Sequence, residues 1–296
     1  MGGTISFYYT YCGLYSFDKE MRRLSISTAR PAGGTEQIDV LIPAIEKDLG
    51  TLPYVIDSVR KHVRHPIGRI LVVSPDSDKI KQLCRRKGCT FVNEKTVLPI
   101  TKKHIRYRSR KWDRSGWLYQ QLLKLSGNTL CTRKHYLVID ADTVLIRPHR
   151  FLSGGKTVFY CRNWSQGEYF NMYRRLLGRK KPSASSSFVA HYMLFDRSKV
   201  ARLKKTIEAR HGLPWYQAII RLTDKSKQFG FSEYETYGNY FRSRYPGRLI
   251  RKPTLNKSLS GSAAAVVSSP KLERLARKYR SLSFHKRKIY VRHPKD

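Results

Sequence analysis

From Ile38 to Val92 the chain alternates short apolar runs with stretches of helical periodicity, and this alternation restricts the fold more than any other feature. Ile38-Asp-Val-Leu-Ile42-Pro43 reads as a buried strand, after which Leu52, Val55, Ile56, Val59 and Val63 recur at helical spacing. Arg69 to Val73 predicts a second strand, Asp78 to Arg86 a second helix, and Thr90 to Val92 a short third strand. Strands alternating with helices build a mainly parallel sheet covered on both faces. The expected fold class is therefore α/β, a Rossmann-type three-layer sandwich around a mostly parallel central sheet. Open sheets of this kind bind ligands at the carboxyl ends of their strands, so Ala44 to Asp48 and Ser74 to Asp78 should border the pocket.

A later strand brings acids to that same edge. In Tyr136-Leu-Val-Ile-Asp140-Ala-Asp142-Thr-Val-Leu-Ile146 three apolar residues run into two aspartates separated by one alanine. Side chains alternate along an extended chain, so Asp140 and Asp142 would point the same way and could share a hard divalent cation. Such a cation neutralises the charge that develops on a departing diphosphate. The plainer reading is that Asp142 begins a turn and Asp140 caps it.

The preceding segment offers polar groups to the same place. A basic loop, Thr101 to Arg114, reads by default as solvated and leads into Ser115-Gly-Trp117-Leu-Tyr-Gln120-Gln121-Leu-Leu-Lys124-Leu125. At about 100° per residue Leu118, Leu122 and Leu125 form one stripe, and Trp117, Gln120, Gln121 and Lys124 an adjacent polar one. Further on, Phe188 to Phe195 predicts a strand containing His191, a core residue or a pocket residue. Ser232, three before Glu235, forms a capping box that opens a helix and leaves Glu233 the freer acid. A carboxylate held in a first helical turn suits a general base, and equally complements the helix dipole. Ser258 to Ser269 reads as a small-residue linker or mobile loop, and His285 in the tail could complete a metal shell.

Composition bounds the rest. The chain has 296 residues and a formal charge of +38, from 59 Lys and Arg against 21 Asp and Glu, so an anionic partner is expected. Residues 1–36, with an aromatic patch from Phe7 to Phe17, form an N-terminal extension, and residues 37–296 one domain with halves near 37–148 and 149–296. Five scattered cysteines without metal spacing point to reduced thiols in the cytosol. Neither a spanning helix nor a signal-peptide pattern is visible.

In this order the segments resemble glycosyltransferases of the GT-A fold. Ile42-Pro-Ala-Ile-Glu46-Lys47-Asp48, Gly116-Trp117-Leu-Tyr-Gln-Gln121-Leu-Leu-Lys124-Leu and Ser232-Glu-Tyr-Glu-Thr-Tyr-Gly238-Asn resemble the DUF6492 group within them. The resemblance runs from about Asp39 to His285. It implies transfer of a sugar from a nucleotide-sugar donor to a saccharide or lipid-linked acceptor, in cell-surface or capsular polysaccharide synthesis. By that resemblance the first half of the domain holds the donor and the second the acceptor. Mn2+ or Mg2+ would be held by Asp140, Asp142 and His285, with Asp140 also near the ribose. Glu46, Asp48 and Ser74 would border the nucleoside, Trp117, Gln121 and His191 the donor, and Lys124 its phosphates. Glu233 would be the acceptor-activating base, favouring inversion, with Glu235 in reserve. The positive charge would hold the enzyme against the anionic inner face of the plasma membrane, at ~1 kcal/mol per basic residue. Two other readings compete: a non-catalytic nucleic-acid-binding protein, for which no recognition motif is present, and a Mg2+-dependent nucleotidyltransferase.

Overall fold

A computed structural model of the chain describes residues 36–178 and 186–285. The extension expected at the N-terminus lies, but for Glu36, outside the described residues, as does most of Gly178 to Ser187, a stretch that reads from the sequence as a flexible basic loop.

In chain order the first strands and helices are β1 (Ile38–Pro43), α1 (Leu52–His62), β2 (Ile67–Ser74), α2 (Asp78–Arg86) and β3 (Thr90–Asn93). Then follow α3 (Ser115–Leu125), α4 (Gly127–Leu130), β4 (His135–Ile139), β5 (Thr143–Leu145), β6 (Leu152–Ser153), β7 (Lys156–Cys161) and α5 (Gly167–Leu177). The remainder is β8 (Tyr192–Asp196), α6 (Arg197–His211), α7 (Trp215–Leu222), α8 (Glu233–Arg244), β9 (Leu249–Pro253), β10 (Asn256–Leu259), α9 (Ala263–Val267), α10 (Lys271–Lys278) and β11 (Ser281–Phe284).

The central sheet has the order β3-β2-β1-β4-β8. Its first three pairings are parallel and β8 runs antiparallel to β4. The expected α/β architecture with a mostly parallel central sheet is thus the one the chain adopts. Alternation along the strands splits the core in two. Leu41, Val73, Val138 and Phe195 face the helices α3, α5, α6 and α8, while Val40, Ile42, Val72 and Ile139 face α1 and α2. Two small sheets, β10-β11-β5 and β6-β7-β9, flank the central one.

A buried acid pins the sheet at its lower edge. Asp39, within β1, accepts hydrogen bonds from the backbone N–H groups of Arg69 (2.9 Å), Thr132 (2.7 Å) and Arg133 (3.1 Å). Burial works to raise its pKa, but these bonds to the charged form prevail and hold it below the usual carboxylate value.

Three local expectations change. The aspartates do not continue the strand: β4 stops at Ile139, and the Thr143 N–H closes a turn onto the Asp140 carbonyl at 3.1 Å. The strand expected over Phe188 to Phe195 begins at Tyr192, so His191 stands just before it, in the left-handed region at φ 66°. Ser258 to Ser269 is not a linker. Its first residues belong to β10, paired with β11, and Ala263 in α9 is buried against the core.

The fold also carries an acid-sensitive element. His149 is fully buried, its Nδ1 2.7 Å from the Arg147 carbonyl and its Nε2 3.1 Å from the Tyr192 hydroxyl. Burial pushes His149 down to about 3 and His62 down to about 4, from 6.5. Both stay neutral in the fold while the unfolded chain takes up protons below that value. The stability they contribute is therefore complete above pH 6.5 and is lost as pH falls toward 4 and 3. The urea midpoint should drop across this window, and less steeply in His149→Gln; equal slopes in the two proteins would contradict the assignment.

Candidate active site

The strand order reverses at β1: the chain steps from β1 to β2 and β3 on one side, then returns to place β4 on the other. A crevice at the carboxyl ends of the strands on either side of such a reversal is where open α/β sheets bind ligands. Two features lie at that edge, a buried charge cluster at the end of β4 and a cleft at the ends of β1 and β2 whose lining does not include the cluster's side chains.

The cluster is a chain of alternating charges. Lys124 Nζ, from the last turn of α3, lies 2.5 Å from Asp140 Oδ1 and 2.8 Å from Glu233 Oε1. Tyr234, in the first turn of α8, donates its hydroxyl to Asp140 Oδ1 at 3.2 Å, and its ring lies 4.6 Å from Lys124 Nζ. His191 Nδ1 lies 3.0 Å from the other oxygen of Asp140, and the two residues are also tied by the Asp140 N–H bonding to the His191 carbonyl at 2.9 Å. His285 Nδ1 lies 3.0 Å from Asp142 Oδ2, and the two imidazole rings are 5.3 Å apart. The antiparallel pairing of β8 with β4 explains His191, because Tyr192 stands opposite Ile139. The N–H of Phe284, the last residue of β11, bonds the Asp142 carbonyl at 2.8 Å and so delivers His285.

Electrostatics follow from this geometry. Burial acts to push the Lys124 ammonium down, but Asp140 and Glu233 more than reverse it and keep the group charged well above the ordinary lysine range. Burial acts to raise Asp140, yet Lys124 and His191 hold it below the usual carboxylate range. Glu233 lies above its ordinary value because burial outweighs Lys124. Side-chain exposure grades the three acids at 30% for Asp142, 20% for Asp140 and 3% for Glu233, so Asp142 is the most open.

The cleft, of about 1190 Å3, is lined by Pro43 at the end of β1, Ala44 and Asp48 after it, Pro75 after β2, and Trp117 and Gln120 from α3. Helix α3 joins cleft and cluster. Gln120 reaches the Pro43 carbonyl at 3.4 Å, Gln121 accepts the Glu233 N–H at 3.1 Å, and Lys124 forms the ion pairs.

The structure thus gathers Asp140, Asp142, Glu233, His191, His285, Lys124 and Gln121, and sets Asp48 and Trp117 on the cleft wall. Several expected roles do not match the placement. Lys124 is buried between two carboxylates instead of facing donor phosphates, because two acids outcompete solvent for it. Glu233 is the buried partner of that lysine, not the freer acid. Glu235 turns away: it accepts from the Ser187 hydroxyl, from the Phe188 N–H at 3.2 Å and from Asn239 Nδ2 at 2.7 Å. Its N–H is capped by Ser232 at 3.3 Å, but its carboxylate, committed elsewhere, does not complete the box. Glu46 bonds Ser77 at 2.7 Å and Lys79 at 3.2 Å on an exposed turn, and Ser74 is wholly buried at the end of β2. Asp48 accepts the Ile45 N–H at 3.0 Å, which fixes the turn after β1. Tyr234 was not singled out by sequence, since a tyrosine beside two glutamates looks like any packed aromatic.

Among the described residues no group of three or more His, Cys, Asp or Glu side chains is arranged to hold a metal ion. Asp142 and His285 supply two donors, a carboxylate oxygen and an imidazole nitrogen 3.0 Å apart. That contact is a hydrogen bond, which a cation held by the two side chains would replace. Both oxygens of Asp140 are already engaged. One carboxylate oxygen and one imidazole nitrogen would hold a divalent cation completed by phosphate oxygens, the nitrogen being a departure from the all-oxygen shell that Mg2+ prefers.

The left-handed backbone at His191 makes a testable demand. A β-branched or bulky residue there is strained, whereas glycine is not. His191→Gly should be more stable than His191→Ala by ~1 kcal/mol in chemical denaturation, although both lose the imidazole. Equal stability would mean that the conformation carries no strain.

Fold and site together define an α/β protein with a cleft at the crossover of a mostly parallel sheet and a histidine–carboxylate cluster at the end of β4. The chain belongs to DUF6492, described as a family of unknown function, whose model matches residues 35–258. Solved structures that align with it include the bifunctional glycosyltransferase WbbM, at 11% identity and TM-score 0.48, over 85% of this chain and 46% of that one. The chain therefore spans about half the length of WbbM. The galactosyltransferase LgtC, in complex with donor and acceptor sugar analogs, aligns at 12% identity and TM-score 0.42, over 83% and 87% of the two chains. Mouse xyloside xylosyltransferase 1 aligns at 12% identity and TM-score 0.44, over 84% and 98%. No curated protein sequence matches the chain.

Proposed function

We propose that the protein transfers a glycosyl group from a nucleotide-sugar donor to a hydroxyl acceptor, with Mn2+ or Mg2+ as cofactor. The observation that carries this reading is the pairing of Asp140 with His191 and of Asp142 with His285 at the sheet crossover, beside a cleft of about 1190 Å3. That volume exceeds the roughly 300–1,000 Å3 of ordinary small-ligand pockets and leaves room for a nucleoside and its sugar. Trp112 and Trp117 on the wall give a flat base aromatic surfaces to lie against.

In the reaction the acceptor oxygen bonds to the anomeric carbon, the bond from that carbon to the diphosphate breaks, the nucleoside diphosphate leaves with the electron pair, and the acceptor hydroxyl's proton passes to the departing diphosphate. A divalent cation at Asp142 and His285 would supply Lewis-acid neutralisation of that leaving group. The chain's own residues hold the geometry. Lys124, fixed between Asp140 and Glu233, keeps Asp140 ionised and oriented, Tyr234 donates to the same oxygen, and His191 fixes the other. With Glu233 committed to Lys124, its carboxylate serves to position that lysine.

A panel of UDP-, GDP- and CMP-sugars with Mn2+ tests the proposal. One donor should raise the thermal midpoint and be slowly hydrolysed to free sugar and nucleotide. Release of pyrophosphate would instead identify a nucleotidyltransferase, and indifference to every donor would reject the reading.

A further inference from the structure

The basic loop ahead of α3 takes no part in the transfer chemistry, yet it is built as a firm wall of the cleft. Thr101 caps its first turn through the Lys103 N–H at 3.3 Å. Ile105 and Tyr107 are buried and anchor the segment, with the Tyr107 hydroxyl accepting the Gly230 N–H at 2.7 Å. Beyond them the chain folds back on itself. The backbones of Arg108 and Asp113 pair in an isolated antiparallel bridge, the Ser109 N–H bonds the Trp112 carbonyl at 2.8 Å, and the Arg114 N–H bonds the Tyr107 carbonyl at 2.8 Å. The Trp112 ring closes edge-on against Tyr107 at 5.3 Å.

The buried anchors alternate with exposed cations. Lys102, Lys103, Arg106, Arg108 and Lys111 are all exposed and line the cleft. Among the described residues none of the five takes part in an ion pair. With Lys47 and Arg114 the cleft wall carries seven cationic side chains, against the acids Asp48, Glu94 and Asp113, an excess of four positive charges. Two of those acids are occupied by local backbone: Asp48 by the Ile45 N–H and Asp113 by the Ser115 N–H at 2.8 Å. The N-terminus of α3, the positive end of its dipole, opens on the same space.

A nucleotide-sugar does not account for this field. Its diphosphate brings about two negative charges, and a bound divalent cation offsets them. Lys102 and Arg108 act on Asp113, and Lys102 on Glu94, yet the wall still carries four more cations than acids, and like charges held this close cost stability unless a counter-charge arrives. We propose that the loop wall binds an anionic glycan, a saccharide chain carrying carboxylate or phosphate groups along its length, as the acceptor. This rests on the glycosyl-transfer reading for the word acceptor, but the binding itself does not. A concave wall with cations spaced along a hairpin fits a single flexible chain better than the flat face of a bilayer.

The test uses the full chain and measures binding of a galacturonic acid oligomer and of a neutral glucose oligomer of equal length. The acidic oligomer should bind at least ~10-fold tighter at low salt, with affinity falling as salt rises. The triple variant Arg106→Ala, Arg108→Ala, Lys111→Ala, all at exposed positions, should lose ~10-fold or more with its thermal midpoint unchanged. A control triple, Arg85→Ala, Arg86→Ala, Lys278→Ala, removes the same charge elsewhere and should lose less than ~2-fold. Equal losses in both triples would reduce the effect to net charge and overturn the proposal, as would equal binding of the neutral oligomer. Single-stranded DNA or phosphatidylglycerol vesicles that bind more tightly than the acidic oligomer, through the same three residues, would replace the glycan with a nucleic acid or a membrane. Donor binding in Mn2+ is scored separately. Glycan binding without any donor response would leave the wall standing and remove the transferase reading; a donor response without glycan binding would do the reverse.

Discussion

Replacing Lys124 by methionine is expected to destabilise the fold by about 3–5 kcal/mol, the cost of leaving a buried charge without its partner. The ammonium lies 2.5 Å from Asp140 and 2.8 Å from Glu233, and its side chain is 5% exposed. Methionine keeps the volume and removes the charge, so two neighbouring carboxylates remain with no cation between them. For a domain of this size, where 1 kcal/mol corresponds to roughly 2–4 °C, the thermal midpoint should fall by on the order of 10 °C. Adding Glu233→Gln should recover part of the loss, because the glutamine removes the carboxylate that has no other charged partner. A single variant within about 1 kcal/mol of wild type would show that Lys124 is not the charge that holds the cluster together.

Asp142→Ala should separate activity from stability in the opposite sense. Asp142 is the most open acid of the cluster, with His285 at 3.0 Å and Thr143 Oγ1 at 3.3 Å as its side-chain contacts, so its removal should shift the unliganded thermal midpoint by only a few degrees. Donor turnover should fall by ~10^3-fold, since metal stabilisation of a leaving group is worth several kcal/mol. The extra thermal stability conferred by Mn2+ together with a nucleoside diphosphate should vanish. Retention of that stabilisation in Asp142→Ala would move the cation elsewhere.

Strands β1 to β4 and helices α1 to α3 were legible in the sequence because each is a local matter. A short segment rich in β-branched residues, such as Ile38 to Ile42, favours a buried strand, and the leucines of α3 repeat at helical spacing. The identities of Asp140, Asp142 and His285 as neighbours were also anticipated. What was misjudged turned on competition between partners. Glu233 and Glu235 sit in the same helical turn with near-identical intrinsic chemistry. One meets Lys124 from α3, and the other meets Ser187, Phe188 and Asn239. Neither outcome is written within the segment Ser232 to Glu235. Asp39 is similar: a polar residue in an apolar strand, settled by three N–H groups from Arg69, Thr132 and Arg133.

The order of strands and helices, the acids at a strand end and the excess of positive charge were determined by the amino-acid sequence alone. They depend on periodicity and composition, which act over a few residues or over the whole chain at once. Tertiary structure decided which cation each acid takes, that His191 is held at positive φ against Asp140, and that the basic loop folds into a cleft wall instead of lying in solvent. These depend on which groups meet across 16 to 143 residues of chain, and a buried charge takes its final state from the partners the fold brings to it.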